Sequence, residues 1–178
     1  MTAADDCRLH AARARANVLR MLRSSGAGHV GGALSCIDIV SALYFRAMRH
    51  DPANPRAADR DRFVLSAGHK CLAQYAVLAE AGYFPLEVLD SYGKLGSKIP
   101  GHPDMRKLPG IEANTGALGH GLSICVGMAL GAWLDDSESR VFTILGDGEL
   151  AEGSNWEAFA AAGFHSVGNL TAFIDVNG

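Results

Sequence analysis

The chain has 178 residues, of which 48% are hydrophobic and 20% are charged, and its formal net charge at pH 7 is −3. This length suits one domain, covering residues 1–178, with a sizeable core. The mildly acidic net charge argues against a nucleic-acid-binding protein. The arginines near the amino end do not suggest one either, because they fall on one amphipathic helical pattern with few aromatic residues between them.

The cysteine pattern and the hydropathy pattern exclude further classes. The four cysteines are scattered and none forms a Cys-x-x-Cys pair, so neither a zinc site nor a disulfide framework is predicted. No apolar stretch is expected to approach the roughly 18 residues of a membrane span, and no signal-peptide core is present at the amino terminus. We therefore expect a cytoplasmic protein with reduced thiols and no membrane association.

Helical and strand patterns alternate along the chain. Helical apolar spacing covers the ranges 5–22, 37–48, 70–81, 85–92 and 122–134. Short apolar runs typical of buried strands cover 63–65, 141–145 and 170–174. Glycine-rich loops precede two of the helices, at 26–32 and 115–121, and Ser35 is a candidate cap for the helix at 37–48. This order predicts an α/β fold with a doubly wound, mainly parallel sheet, whose ligand site lies beyond the carboxyl ends of the strands.

Oxygen-bearing side chains follow two of the predicted strands. Gly146-Asp147-Gly148 ends one apolar run, and Asn177 follows the next. Because one crossover joins these strands, parallel pairing would bring Asp147 and Asn177 to the same crevice. Carboxylate and amide oxygens suit a hard cation such as Mg²⁺ or Ca²⁺, and Gly148 lets backbone N–H groups approach an anion. The pattern predicts a metal-bridged diphosphate site, whereas the triplet alone would also fit a hairpin or a helix cap.

Three histidines share a second pattern. His29, His69 and His102 each follow a glycine, and each lies in a predicted loop or turn. A single loop histidine is more often a packed or solvated residue than a functional one. Three in turn-forming contexts favour a site, where imidazole can exchange hydrogen bonds with a hydroxyl or carry a proton.

Several segments, in the correct order, resemble the transketolase family. They are Ser25–Gly32, Arg60–His69, Gly101–Asp104, Thr115–Gly121, and Gly146–Gly153 with Trp156-Glu157-Ala158. The Gly-Asp-Gly turn with its later Asn also resembles the thiamine diphosphate motif. The similarity runs from about residue 8 to the final glycine and is nearest to the amino-terminal subunit of split, two-chain bacterial transketolases. It implies the thiamine diphosphate-binding (PP-type) fold over residues 1–178, truncated relative to the family.

The resemblance implies a set of cofactor contacts. It places Asp147 and Asn177 as ligands of Mg²⁺ or Ca²⁺, His69 and Gly148 against the diphosphate, and Gly116 and Leu118 against the rings of thiamine diphosphate.

The resemblance also implies catalytic roles. His29 and His102, together with His69, would orient donor hydroxyls and assist proton transfer at the reacting carbonyl. Glu152 would join a carboxylate network at a dimer interface, although a first-turn glutamate favoured by the helix dipole is the simpler interpretation. Glu149 and Glu157 are expected to be merely solvated. The implied reaction passes a two-carbon ketol unit from a ketose to an aldose, usually as sugar phosphates.

The chain departs from the family pattern at three places. Lys70-Cys71 stands where small residues are usual, and His120 stands where Gln is usual. The family's third metal ligand, a backbone carbonyl, would fall at position 179, beyond Gly178. We therefore expect the chain to be inactive alone and to need a partner subunit that carries the pyrimidine-binding and carboxyl-terminal domains, with further dimerisation. The alternatives are a deoxyxylulose-phosphate synthase-like enzyme, a specialised ketol transferase of secondary metabolism, or a non-catalytic partner subunit.

Overall fold

A computed structural model describes residues 2–176, apart from the side chain of Ala3, and within them three parallel strands form one sheet. The strands are β1 (Arg62–Leu65), β2 (Val141–Gly146) and β3 (Leu170–Asp175), in the spatial order β1-β2-β3. Every residue of β2 is buried, as expected for a central parallel strand covered on both faces. The parallel pairing brings the carboxyl ends of all three strands to one edge of the sheet, which confirms the predicted sheet type.

Within the described residues, five α-helices cover the sheet. They are α1 (Ala3–Ser25), α2 (Val30–Ala42), α3 (Cys71–Glu80), α4 (Gly121–Leu134) and α5 (Gly153–Phe164). The first three pack together against one face, where Phe63 and Ile144 join the largest core cluster. The other two cover the opposite face, where Leu122 and Ala158 pack against Leu145. Helices on both faces confirm the doubly wound arrangement.

Local signals explain most of the element boundaries. A capping box formed by Thr2 and Asp5 begins α1, and Gly26, at φ +69°, ends it in the left-handed region that glycine tolerates best. The predicted strands agree with the observed ones to within one residue at either end, and α4 begins one residue before the predicted helix. The segment predicted as a helix at 85–92 is a 3₁₀ helix at Leu86–Ser91.

The predicted start of the second helix is wrong. The helix begins at Val30 instead of residue 37, and it continues into a π turn at Leu43–Ala47. Gly31 and Gly32 therefore lie inside the helix, although glycine is a poor helix former. Close packing explains Gly32, because a Cβ atom added there would lie 3.0 Å from Cγ of Lys70. Ser35 lies within the helix, and its hydroxyl donates to Asp175.

The segment Val30–Ala47 also corrects the expectation on membrane spans. It is long and apolar enough to pass as a span, with a mean hydropathy of 1.3. By contrast, its side chains Ile37 and Val40 are fully buried in the core against the neighbouring helices. Because a core helix passes the same test, the segment is weak evidence for a membrane.

Candidate active site

The candidate site lies where the carboxyl ends of the strands meet the glycine-rich loops. The turn that carries His69 follows β1, and Asp147 follows β2. The backbone N–H of Asp147 donates to the carbonyl oxygen of Asp175 at the end of β3, with an N···O distance of 3.2 Å. The ends of β2 and β3 are thus joined at this edge of the sheet.

The three histidines come together here, as the sequence predicts. The rings of His29 and His69 meet edge to face, with 5.4 Å between their centroids. The ring of His102 packs on Gly116, where an added Cβ atom would lie 2.9 Å from Cδ2 of His102. His29 and His102 are exposed, whereas His69 is half-buried. The pKa of His69 is lowered, first by burial and then by the nearby positive charge of His29 and Lys70, so its imidazole is mainly neutral at pH 7.

Close contacts hold the second glycine-rich loop, at 115–121, against the turn that follows β1. A Cβ atom added at Gly68 would lie 2.6 Å from the backbone nitrogen of Gly116, and one at Gly121 would lie 2.4 Å from Oγ of Ser66. Gly116 itself has φ +141°, a conformation that L side chains rarely adopt. Within the described residues, the buried hydroxyl of Thr115 has no hydrogen-bond partner.

Glu149 is a residue that the sequence reasoning missed, and the expectation that it is merely solvated is wrong. Its side chain is buried, and only 2% of the residue is exposed. One carboxylate oxygen accepts from the Ser66 hydroxyl at 2.6 Å and from the Gly119 N–H at 3.0 Å, and the other accepts from the Gly146 N–H at 3.2 Å. The carboxylate therefore connects the turn after β1, the second glycine-rich loop and the end of β2, a role that only the tertiary structure reveals. Its sole sequence signal is its place directly after the Gly146–Gly148 turn.

Asp147 is half-buried, and its side chain does not cap the 3₁₀ turn Gly148–Ala151 that follows it. A Cβ atom added at Gly148 would meet no atom within 4 Å, so the space beside this turn is open. Residues 2–176 contain no group of three His, Cys, Asp or Glu side chains placed to hold a metal. The second predicted ligand, Asn177, lies outside the described residues.

The remaining predicted residues lie around the second glycine loop. Glu152 is exposed at the start of α5, and an added Cβ atom at Gly119 would lie 2.6 Å from its Cβ. Leu118 is half-buried, and His120 is exposed directly before α4 without capping it. The roles expected for Glu152 and Leu118 stay predictions.

A cavity of about 630 Å³ opens beside two of the histidines. His29 and His102 line it, together with the lysines Lys94 and Lys107. The cavity thus combines groups that can exchange protons with cations that suit an anionic ligand.

The four cysteines are free thiols, which confirms that they do not form a disulfide framework. Three of them are buried, and burial raises the pKa of Cys36 and Cys125 to about 12 and that of Cys71 to about 11. These three thiols are therefore core residues of low reactivity.

Comparison with known proteins gives matches that all belong to one family. Residues 8–178 match the family described as transketolase, thiamine diphosphate binding domain. The chain is 48% identical over 168 residues to a 6-deoxy-6-sulfo-D-fructose transketolase subunit of Clostridium sp. (strain MSTE9), covering 92% of this chain and 61% of that protein. It is 44% identical over 169 residues to an apulose-4-phosphate transketolase subunit of Phocaeicola vulgatus, covering 95% and 60%.

Solved structures give the same result for the fold. A transketolase from Leishmania mexicana superposes with a TM-score of 0.89 at 31% identity, covering 96% of this chain and 27% of that one. A transketolase from Campylobacter jejuni superposes with a TM-score of 0.86 at 33% identity, covering 93% and 27%. The chain thus spans about 60% of the length of the two subunits that it resembles and about a quarter of these longer enzymes.

Proposed function

The chain belongs to the transketolase family, through its thiamine diphosphate-binding domain, and from this premise we propose that it is the amino-terminal subunit of a transketolase-like enzyme. The subunit works with a partner chain to move a two-carbon ketol unit from a ketose to an aldose. The observation that carries this proposal is the convergence of His29, His69 and His102 beside the turn that carries Asp147.

The described residues fit thiamine diphosphate and a divalent cation. The open space beside Gly148 and the unpartnered buried hydroxyl of Thr115 leave room and hydrogen-bonding capacity for a polar ligand at this edge of the sheet. Asp147 and Asn177 would hold Mg²⁺ or Ca²⁺, since both cations prefer oxygen ligands. Gly148 and His69 would face the diphosphate, and Gly116 and Leu118 would face the rings.

The histidines perform the proton and hydroxyl chemistry in this proposal. When bound, thiamine diphosphate supplies the electron sink that lets a carbon–carbon bond of the ketose break. His69, mainly neutral at pH 7, has one ring nitrogen free to accept a proton and another that donates. His29 and His102 are exposed and line the cavity of about 630 Å³, where they orient the hydroxyls of the sugar and move a proton at its carbonyl oxygen.

The substrates in this proposal are sugars with an anionic end. The names of two relatives specify 6-deoxy-6-sulfo-D-fructose and apulose 4-phosphate, one a sulfonate and the other a phosphate. Lys94 and Lys107 line the same cavity as His29 and His102, and their positive charge supports this substrate class.

Exposed apolar surface supports the partner chain. Phe164 and Trp156 on α5 are 84% and 60% exposed, and Val176 after β3 is 73% exposed. In the sheet that the described residues form, β3 is an edge strand, and a partly apolar edge strand favours association. The partner would carry the pyrimidine-binding and carboxyl-terminal domains, Glu152 would contribute to an interface, and the assembled enzyme would be cytoplasmic.

The test compares the chain alone with the chain purified together with the protein encoded beside it. Ketol transfer is assayed with thiamine diphosphate and Mg²⁺, and we expect turnover only from the complex. Asp147→Ala in the complex should abolish turnover and weaken cofactor binding, measured by calorimetry, whereas the exposed loop variant Asp59→Ala should change neither. Turnover by the chain alone would disprove the partner requirement. Full activity of Asp147→Ala would instead identify the chain as a non-catalytic scaffold.

A further inference from the structure

Lys70, directly after His69, is a lysine in an unusual position. Only 2% of it is exposed, although lysine is almost never fully buried unless it is paired. Its ammonium group donates to Oδ2 of Asp175 at 2.5 Å. Asp175 is itself buried, with 6% exposed, so the two residues form a buried ion pair.

The carboxylate of Asp175 connects several elements of the candidate site. Its Oδ1 atom accepts from the hydroxyl of Ser35 on α2, the helix that follows His29, at 2.7 Å. Its backbone carbonyl accepts from the N–H of Asp147 at 3.2 Å. One residue at the end of β3 therefore holds the helix after His29, the turn that carries His69 and the turn that carries Asp147.

The ion pair crosses the central strand of the sheet. Lys70 follows β1, Asp175 ends β3, and β2 lies between them. The stem of Lys70 runs beside Gly32, where an added Cβ atom would lie 3.0 Å from Cγ and 3.3 Å from Cε. It ends beside Gly146, where an added Cβ atom would lie 3.7 Å from Nζ. Gly32 therefore leaves space that the lysine occupies, whereas the Gly146 distance is an ordinary van der Waals contact.

We propose that Lys70 and Asp175 are positioning residues, whose ion pair fixes the turn of His69 and the turn of Asp147 relative to the strand end that precedes Asn177. The catalytic meaning of this positioning rests on the proposed function. The geometric part does not rest on it. Among residues 2–176, the ladder bonds of the sheet join β1 only to β2 and β2 only to β3. The ion pair is a direct link between the turn after β1 and the end of β3, and its loss removes that link.

The test separates positioning from general stability by a set of three variants. Lys70→Met leaves the Asp175 carboxylate buried without its cation, and Asp175→Asn leaves the lysine without its anion. Either single change should lower the thermal midpoint clearly, because an unpaired buried charge is costly. The double variant buries no charge and should recover at least half of the lost midpoint. Lys98→Met, at an exposed lysine, is the control and should behave as the wild type.

Amide hydrogen exchange of the ¹⁵N-labelled chain, followed by NMR, is the decisive readout. In the double variant the amide of Asp147 should exchange at least tenfold faster than in the wild type, while amides in α1 and α3 keep their wild-type rates. Unchanged exchange at Asp147 would overturn the proposal, and so would a double variant that fails to fold or that speeds exchange evenly, because the pair would then serve the fold alone. Since this readout needs neither cofactor nor partner, its failure is distinct from a failure of the proposed transketolase function.

Discussion

Gly68→Ala tests how closely the turn after β1 packs against the second glycine-rich loop. The added Cβ atom would lie 2.6 Å from the backbone nitrogen of Gly116 and 2.8 Å from the backbone carbon of Thr115. Ordinary contacts between such atoms lie near 3.5 Å, so the second glycine loop must retreat by about 1 Å. Overpacking of this kind costs about 1–3 kcal/mol. A chain of this size loses about 2–4 °C per kcal/mol, so we expect the thermal midpoint to fall by about 2–12 °C.

The same displacement should impair function more than stability. A misplacement of about 1 Å at a catalytic site can reduce the rate on the order of 10²-fold, so kcat/KM of the active complex should fall by about that factor. The matched control is Gly127→Ala in the middle of α4, where an added Cβ atom meets nothing within 4 Å. Alanine should stabilise that helix by about 0.5–1 kcal/mol. If calorimetry found Gly68→Ala as stable as the wild type, the close approach of Gly68 to Thr115 and Gly116 would be refuted.

Three further predictions concern ionisable side chains. Glu149→Ala leaves three buried donors without their acceptor and should destabilise the chain by at least about 2 kcal/mol in urea unfolding, whereas Glu149→Gln should cost less. Although burial alone would raise the pKa of Asp61, hydrogen bonds from Arg140 and Arg49 hold this pKa below its usual value. Its stabilising contribution is therefore present above about pH 4 and is lost as the pH falls through the folded pKa, and Asp61→Asn should remove this acid sensitivity from the stability curve. The pKa of His69 should be below 6.5 by NMR titration, first because of burial, and it should rise in His29→Ala because the charge of His29 also lowers it; an unchanged value would contradict this contribution of His29.

The periodic features of the sequence predicted the frame of the molecule well. The apolar runs at 63–65, 141–145 and 170–174 became the three strands. β1 and β2 are largely buried, and a buried parallel strand is recognised by its continuous apolar run, whereas β3 is an edge strand with several partly exposed residues. His29, His69 and His102 were singled out because each follows a glycine in a loop or turn, and the rule that ligands bind beyond strand ends indicates the edge at which they meet.

The features that escaped prediction all depend on contacts between distant parts of the chain. Glu149 accepts from Gly119, 30 positions away, and Lys70 donates to Asp175, 105 positions away. A charged side chain is normally read as solvated, and only the three-dimensional surroundings reveal that it is paired. The start of α2 was missed for the same reason, because the space that Gly32 leaves is filled by Lys70.

The charges beneath the site bear on the divalent cation of the proposed function. Three carboxylates lie at this edge of the sheet, a surprising arrangement for an edge that is proposed to bind an anionic diphosphate. The charge of Asp175 is balanced by Lys70, and that of Glu149 is offset by three hydrogen-bond donors. Within residues 2–176 the Asp147 carboxylate has neither an ion-pair partner nor a capping role. A diphosphate beside Asp147 would therefore meet uncompensated negative charge, and Mg²⁺ or Ca²⁺ is the simplest group that attracts both.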